Sequence, residues 1–428
     1  MKKAHTLSIR TFLFFVSVLF LFGCCFMTSL FFVVFRNTAI RVMLLLGAAF
    51  LFVLLEFTKK NSDLPQLAQF FLVSMCSIIA LGVIRVNDRE WEASIRFILF
   101  YLIFLVGMRD QRWIRLFWVL SIVTAMFYIV TTIWLSIDTG SVFRYFGQRL
   151  YPNETRFSFW VNTRNTPGVT DHYSTNGMAL ANATVMAAGG TIARTKKKGG
   201  RAYAVLLVLA YIALFLTGKR AHLLFTTASI GLAVYVYGRY EKNNFIKYLI
   251  LIIVTILSIV LAYALIPQVT TVLNRFIGME DDGNLVGRYM WWAAAYESFL
   301  NHKWIGIGWF GFRNIVAPTV FYTGHAHNIY IQLLCETGIV GTIIFVSWFL
   351  YAFIISTKFL QYIAKNKMTV APYFSTLALF CMIYQGYFLM YGLTGNPLYD
   401  PYVYPIYLVA CVIPIYYLHN KQKILFHL

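Results

Sequence analysis

Long apolar stretches alternate with short polar connections along this chain, and the length of each stretch matches a bilayer. Crossing about 30 Å of hydrocarbon takes roughly 20 residues in a helix. Runs of that order occupy 11–35, 39–57, 64–84, 93–108, 113–136, 177–193, 202–217, 221–238, 245–266, 328–357, 371–392 and 401–418. Backbone groups in lipid must be satisfied within the segment, so each run is predicted to be helical. The expected fold is all-α: a polytopic integral membrane protein with about twelve transmembrane helices forming a single transmembrane domain, 1–428. The first run is too long for a cleavable signal, lacks a small-residue cleavage site and is followed at once by a second run, so it reads as helix one.

Composition strengthens this reading, because 60% of residues are hydrophobic and only 12% are charged, far from the balance of a soluble domain. Charge then orients the chain. Lys59 and Lys60, Arg109 and Arg112, the run TKKKGGR at 195–201, Arg239 with Lys242 and Lys247, Lys358 with Lys365 and Lys367, and Lys421 with Lys423 fall in every second connection. The positive-inside rule makes these connections and both termini cytoplasmic, in a multi-pass protein of the inner cell membrane. Fourteen of 16 lysines lie on that side, yet about 12 of 20 arginines lie on the other. Guanidinium forks hold phosphates and carboxylates in a bidentate way, so an arginine-rich outer face points to an anionic substrate. The six cysteines all fall inside apolar runs and read as small core residues.

Two outer loops are long, 138–176 and 267–327. The first carries Arg144, Arg149, Arg156 and Arg164 among aromatics; the second carries Arg275, Arg288, Lys303 and Arg313 together with His325 and His327. Loops of this length usually have a function, and arginines mixed with rings suit a sugar phosphate. The stretch MWWAAAYESFL at 290–300 reads as an amphipathic helix on the membrane surface, although the tryptophans alone equally fit an interfacial aromatic belt. There is no G-x-x-x-x-G-K-[ST] loop, no G-x-G-x-x-G turn after a strand and no H-E-x-x-H, which removes support for nucleotide hydrolysis, dinucleotide chemistry or a zincin site. His325 and His327 have no carboxylate at ligand spacing, and Glu336 stands nine residues on. No metal, cofactor or nucleic-acid partner is expected.

The order of LTGKRAHLL at 216–224, GRYMWWAAAYESFLNHKWIGIGWFGF at 287–312 and HAHNIYIQLLCETGIVG at 325–341 resembles the O-antigen ligase and polymerase superfamily of membrane glycosyltransferases, mainly over 170–360. The family's pattern has an arginine after a turn at the outer end of a helix, a second arginine opening a surface helix before G-x-G, and a histidine with Asn or Ser before L-x-x-x-x-E-x-G. These fall on Arg220, Arg288 and His327. One departure is Lys219, where the family usually has a small residue. A looser likeness to an H-x-S stretch lies in DHYSTNG, 171–177, and would put Tyr173, Ser174 and Asn176 at the donor's entrance.

The resemblance implies a glycan carried on undecaprenyl diphosphate and transferred, without metal or nucleotide, to a hydroxyl of an acceptor glycan at the outer face. A chain-length regulator and a flippase are the expected partners. Such a transfer needs a base for the acceptor proton and cations for the departing diphosphate. His327 is the predicted base, since histidine titrates near neutrality, and Arg220 and Arg288 are the predicted clamp. His325, Lys219, Tyr173, Asn176, Arg164, Arg313 and Glu336 are candidates for substrate binding, with His325 either an alternative base, a group placing the acceptor, or a cap for the next helix. Glu336 reads as a buried partner of an arginine or of backbone groups; a polar residue inside a span is a functional candidate by default. The tail GNPLYDPYVYPIYL at 395–408 looks more like the polymerases, which use a lipid-linked repeat unit as acceptor, than the ligases, which use the lipid A core. A lipid-linked sugar transporter is the remaining alternative. It would carry charges inside its spans and an internal repeat, and neither is evident.

Overall fold

The computed structural model describes residues 64–86, 111–150, 155, 157–158, 162, 165–170, 172–194, 199–239, 283–320, 324–366, 370–400 and 402–421. Among these the structure is all-helical, without strands. The helices are α1 (Gln66–Val86), α2 (Gln111–Ile137), α3 (Thr139–Leu150), α4 (Tyr173–Ala193), α5 (Gly200–Leu216), α6 (Arg220–Gly238), α7 (Gly283–Asn301), α8 (Ile329–Lys365), α9 (Pro372–Tyr391) and α10 (Tyr404–His419).

Among the described residues, four helices are long and apolar enough to cross a membrane: Ile114–Ile137 of α2, then α6, α8 and Tyr373–Tyr391 of α9. Gln66–Gly82 of α1, together with α5 and α10, is apolar but shorter. The apolar runs at 64–84, 113–136, 177–193, 202–217, 221–238, 328–357, 371–392 and 401–418 all coincide with helices. Those at 11–35, 39–57, 93–108 and 245–266 lie outside the described residues, so the structure supports membrane-length helices rather than a count of twelve.

α4 is the centre of one half of the bundle, packed by α2, α5, α6 and α9. Its sequence, YSTNGMALANATVMAAGGTIA, is buried from Asn176 to Ala193. Small side chains let neighbouring backbones approach closely, which is how helices associate where no hydrophobic effect separates them from lipid. α9 joins this half to the other, where it meets α8 and α10. Polar pins cross the apolar contact. Asn182 donates through Nδ2 to the Tyr402 carbonyl at 2.9 Å, and Tyr384 donates its hydroxyl to Asn182 Oδ1 at 2.8 Å. Burying these groups is tolerable because each is hydrogen-bonded.

The outer loop expected at 138–176 contains a helix, α3. Asp138 Oδ1 accepts the Ser141 amide at 3.0 Å, an N-cap contact that starts a helix. Val142 is buried and Phe143 meets Phe157 with ring centroids 5.4 Å apart. The amphipathic helix expected at 290–300 is the C-terminal part of α7, which packs on α8.

α8 is broken near its start. Gly338 has φ 62°, outside helical geometry, and the ladder groups released there are taken over by the loop after α7. Ile307 and Gly308 donate their amides to the carbonyls of Cys335 and Glu336 at 3.1 and 2.9 Å. Ile339 and Val340 donate to the carbonyls of Lys303 and Trp304 at 2.8 and 3.2 Å. Only glycine permits this approach: a Cβ on Gly306 would lie 2.3 Å from Glu336 backbone atoms, and one on Gly338 would lie 2.4 Å from the Trp304 carbonyl carbon. The loop is therefore stitched into the helix as a substitute turn, pairing these backbone groups across the break.

Candidate active site

Asn328 ends the loop and starts α8. Its Oδ1 accepts the amides of Tyr330 and Ile331 at 3.0 and 3.2 Å, so the N-cap is this asparagine and not His325. The Ile329 amide donates to the Gly392 carbonyl at 2.9 Å and the Tyr330 hydroxyl to the Leu389 carbonyl at 2.9 Å, anchoring the helix start to the end of α9. Just ahead of that anchor, His327 takes φ 53°, a left-handed conformation uncommon for a residue with a side chain and costing about 1–3 kcal/mol.

Around His327 the structure gathers residues from three elements. Trp291 of α7 lies beside the imidazole, ring centroids 5.6 Å apart. Arg288, one turn earlier on α7, and Lys219, ahead of α6, bring positive charge to it. Burial first, then these two cations, push the His327 pKa down to about 4, so the ring is neutral at ordinary pH. The Lys219 Nζ also sits 4.3 Å above the centre of the Tyr173 ring, a cation–π contact that ties α4 to the same spot. Arg220 is the first residue of α6, half-buried and next in sequence to Lys219.

A second group surrounds His325. Gln332 Nε2 stands 3.0 Å from His325 Nδ1 and donates to Glu336 Oε1 at 2.8 Å, while Gln332 Oε1 accepts the Ala326 amide at 3.1 Å. Glu336 also accepts the amides of Phe310 and Phe312 at 3.0 and 3.3 Å and the hydroxyl of Tyr399. Among the described residues its partners are thus backbone groups, an amide and a phenol. Burial and the adjacent carboxylate push the Tyr399 phenol above the usual tyrosine range, which keeps it a donor. The Tyr399 ring stacks on Trp309 at 4.7 Å and lies 5.0 Å from His325. Arg313, in the π-helical turn Phe312–Val316, brings its charge to His325. Burial, Arg313 and His327 push the His325 pKa down to about 3. The two groups share Ala326, whose amide binds Gln332 and whose carbonyl accepts Trp292 Nε1 at 2.7 Å.

Asn176, expected at the donor's entrance, lies apart from both groups. It is fully buried, and its Nδ2 donates to Thr132 Oγ1 at 2.9 Å and to the Thr166 carbonyl at 3.1 Å. Its amide holds the 165–170 loop to α2. Arg164 lies outside the described residues.

Three participants escape sequence reasoning. Gln332 has a signal, since it sits four residues before Glu336 and shares its helical face. Tyr399 has none, its carboxylate partner being 63 residues away. His222, buried in α6, shares a 2.9 Å hydrogen bond between its Nδ1 and the Tyr387 hydroxyl and lies 4.5 Å from the Tyr391 ring. It joins α6 to α9 close to Lys219 and Arg220.

These features describe an all-helical membrane protein with a histidine and cations gathered where several helices begin. Residues 205–346, which include both histidines, Lys219, Arg220, Arg288 and Glu336, match the family model described as O-antigen ligase. This supports a place in the O-antigen ligase and polymerase superfamily. No curated protein matches the chain.

Proposed function

We propose that the protein is a polysaccharide polymerase that transfers a growing glycan from undecaprenyl diphosphate to a hydroxyl of a lipid-linked repeat unit, at the outer face of the inner membrane. The observation that carries this reading is the convergence of Arg288 and Lys219 on the neutral imidazole of His327. His327 accepts the proton of the attacking hydroxyl. The anomeric carbon–oxygen bond to the carrier breaks as the new glycosidic bond forms, and the electron pair leaves with the lipid diphosphate. Arg288, Arg220 and Lys219 stabilise the negative charge that builds on that leaving group, the role a metal plays in other transferases. Aromatic rings beside the cations, Trp291 and Tyr173, offer faces for sugars.

A field of two cations makes an isolated imidazole a weak base, and donor binding changes this. The diphosphate neutralises the charges that oppose protonation, so His327 gains basicity when the donor arrives.

A second reading, ligation of the glycan to lipid A core, has the description of the matched family in its favour. Purified protein offered a lipid-linked donor with either a lipid-linked repeat or lipid A core as acceptor separates the two. His327→Ala should abolish transfer, with a loss of roughly 10²–10⁴ expected for removal of a general base, and EDTA should leave the wild type unaffected. Activity of His327→Ala within a few-fold of wild type would assign the base elsewhere. Reporter fusions at Asn162 and Asn284 should both report the outer side; a cytoplasmic signal from either would overturn the orientation.

A further inference from the structure

The amide of Gln332 can be oriented in one way only. One end faces the Ala326 N–H, which can only donate, so that end is Oε1. The other end faces Glu336 Oε1 at 2.8 Å. Glu336 receives four donors on its two oxygens, from Phe310, Phe312, Gln332 and Tyr399, an arrangement suited to a carboxylate without a proton of its own. A flipped amide would set oxygen against oxygen and N–H against N–H. Nε2 carries two hydrogens: one goes to Glu336, and the other meets His325 Nδ1 at 3.0 Å. That nitrogen must then present a lone pair, and the neutral ring carries its proton on Nε2.

Among the described residues, Nε2 of His325 has no hydrogen-bond partner, and the residue is half-buried rather than sealed in the core. The rings of Phe310 and Tyr399 flank it at 5.8 and 5.0 Å, and the Arg313 guanidinium contributes its charge from the turn behind Phe312. A neutral N–H donor beside a guanidinium suits an anionic oxygen.

We infer that Gln332 and Glu336 lock His325 as its Nε2–H tautomer, making it a fixed hydrogen-bond donor to a phosphoryl or carboxylate oxygen of the substrate. His325 therefore cannot exchange roles with His327: a nitrogen that carries the proton cannot remove one. Residues 325 and 327 are two atoms of opposite polarity set two residues apart, one donating and one accepting. The substrate contact rests on the transfer reaction proposed above; the tautomer does not.

Two measurements on the full-length protein in lipid nanodiscs test this. With histidine labelled by nitrogen-15, two-bond proton–nitrogen correlations report which ring nitrogen is protonated, and the resonance lost in His325→Gln identifies the residue. A neutral Nε2–H ring in wild type that becomes a tautomer mixture in Gln332→Leu supports the lock. An Nδ1–H ring overturns it, whatever the enzyme's activity. Binding of undecaprenyl diphosphate without sugar is then compared between variants. His325→Gln keeps an N–H near the Nε2 position and should bind within about three-fold of wild type. His325→Leu should bind at least about ten-fold more weakly, as expected for losing a hydrogen bond to a charged group. If bare carrier binding is unchanged but KM for an acidic acceptor glycan rises by that factor, the oxygen belongs to the acceptor and the donor role stands. If neither moves, or if Gln is no better than Leu, the donor role falls. Failure of wild type to transfer any glycan would instead sink the proposed reaction and leave the tautomer result intact.

Discussion

The indole of Trp291 lies 5.6 Å from the imidazole of His327, the two rings tilted by 37°. The contact brings a surface helix to a histidine held at φ 53°, and the next residue, Trp292, fixes the adjacent carbonyl of Ala326. Consecutive tryptophans thus have separate tasks, one on the ring of the proposed base and one on its backbone. Trp291→Ala should lower kcat about 10–100-fold, the cost of a misplaced catalytic group, while thermal stability changes little. Trp291→Phe should recover most of the loss. Full activity in Trp291→Ala, measured by transfer from a lipid-linked donor, would show that the ring contact does not position the base.

The pH profile follows from the sign of the His327 shift. Burial and the cations hold its pKa at about 4 in the free protein, so the base is lost only as pH falls through that value. kcat/KM for the donor, which reports the free enzyme, should stay level down to about pH 5 and decline below it. With diphosphate bound, His327 moves back toward the ordinary value near 6.5, and the acid limb of kcat should lie at higher pH than that of kcat/KM. In Arg288→Gln the free-enzyme limb should shift upward, because one opposing charge is gone. Coincident limbs for the two parameters in wild type would mean that donor binding does not tune the base.

Charge alone does not suffice at position 288. Lysine keeps the charge but not the planar fork, so Arg288→Lys should leave polymer nearly absent while the protein still inserts and purifies normally. Polymer of wild-type length on a gel would remove Arg288 from the clamp.

The break in α8 depends on a missing side chain. Gly338→Ala would place a methyl against the Trp304 carbonyl and force a left-handed residue, at a cost of roughly 2–5 kcal/mol from strain and overpacking together. The expected result is a lower melting temperature in detergent and lost activity. An unchanged melting curve would show that the loop and helix do not depend on this approach.

Apolar runs of membrane length are legible without any structure, because lipid imposes one length and one backbone solution on each span. The helices covering 113–136, 221–238 and 371–392 follow directly from that constraint. α3 is not legible in this way, since it depends on a local cap at Asp138 and on packing against Phe157. At the site, titratable residues in apolar surroundings draw attention to His325, His327 and Glu336, but spacing cannot say which are wired together. By sequence distance Glu336 relates to either histidine; the structure connects it to His325 through Gln332 and to Tyr399 from beyond α9. Asn176 is a different case. A polar residue beside a helix start reads as a surface contact, whereas here it is an internal strut for the 165–170 loop.

The stitched break in α8 bears on when the residues around the two histidines come together during synthesis. The Ile307 and Gly308 amides and the Lys303 and Trp304 carbonyls find their partners only in residues 335–340, which leave the ribosome later. Until that segment arrives, the stretch joining α7 to the histidines has no turn to complete and Glu336 is not there to receive Phe310 and Phe312. Arg288 is made before His327, and they are brought into register by a joint that closes after both. A nascent chain therefore lacks the arrangement around His325 and His327 until α8 is in place.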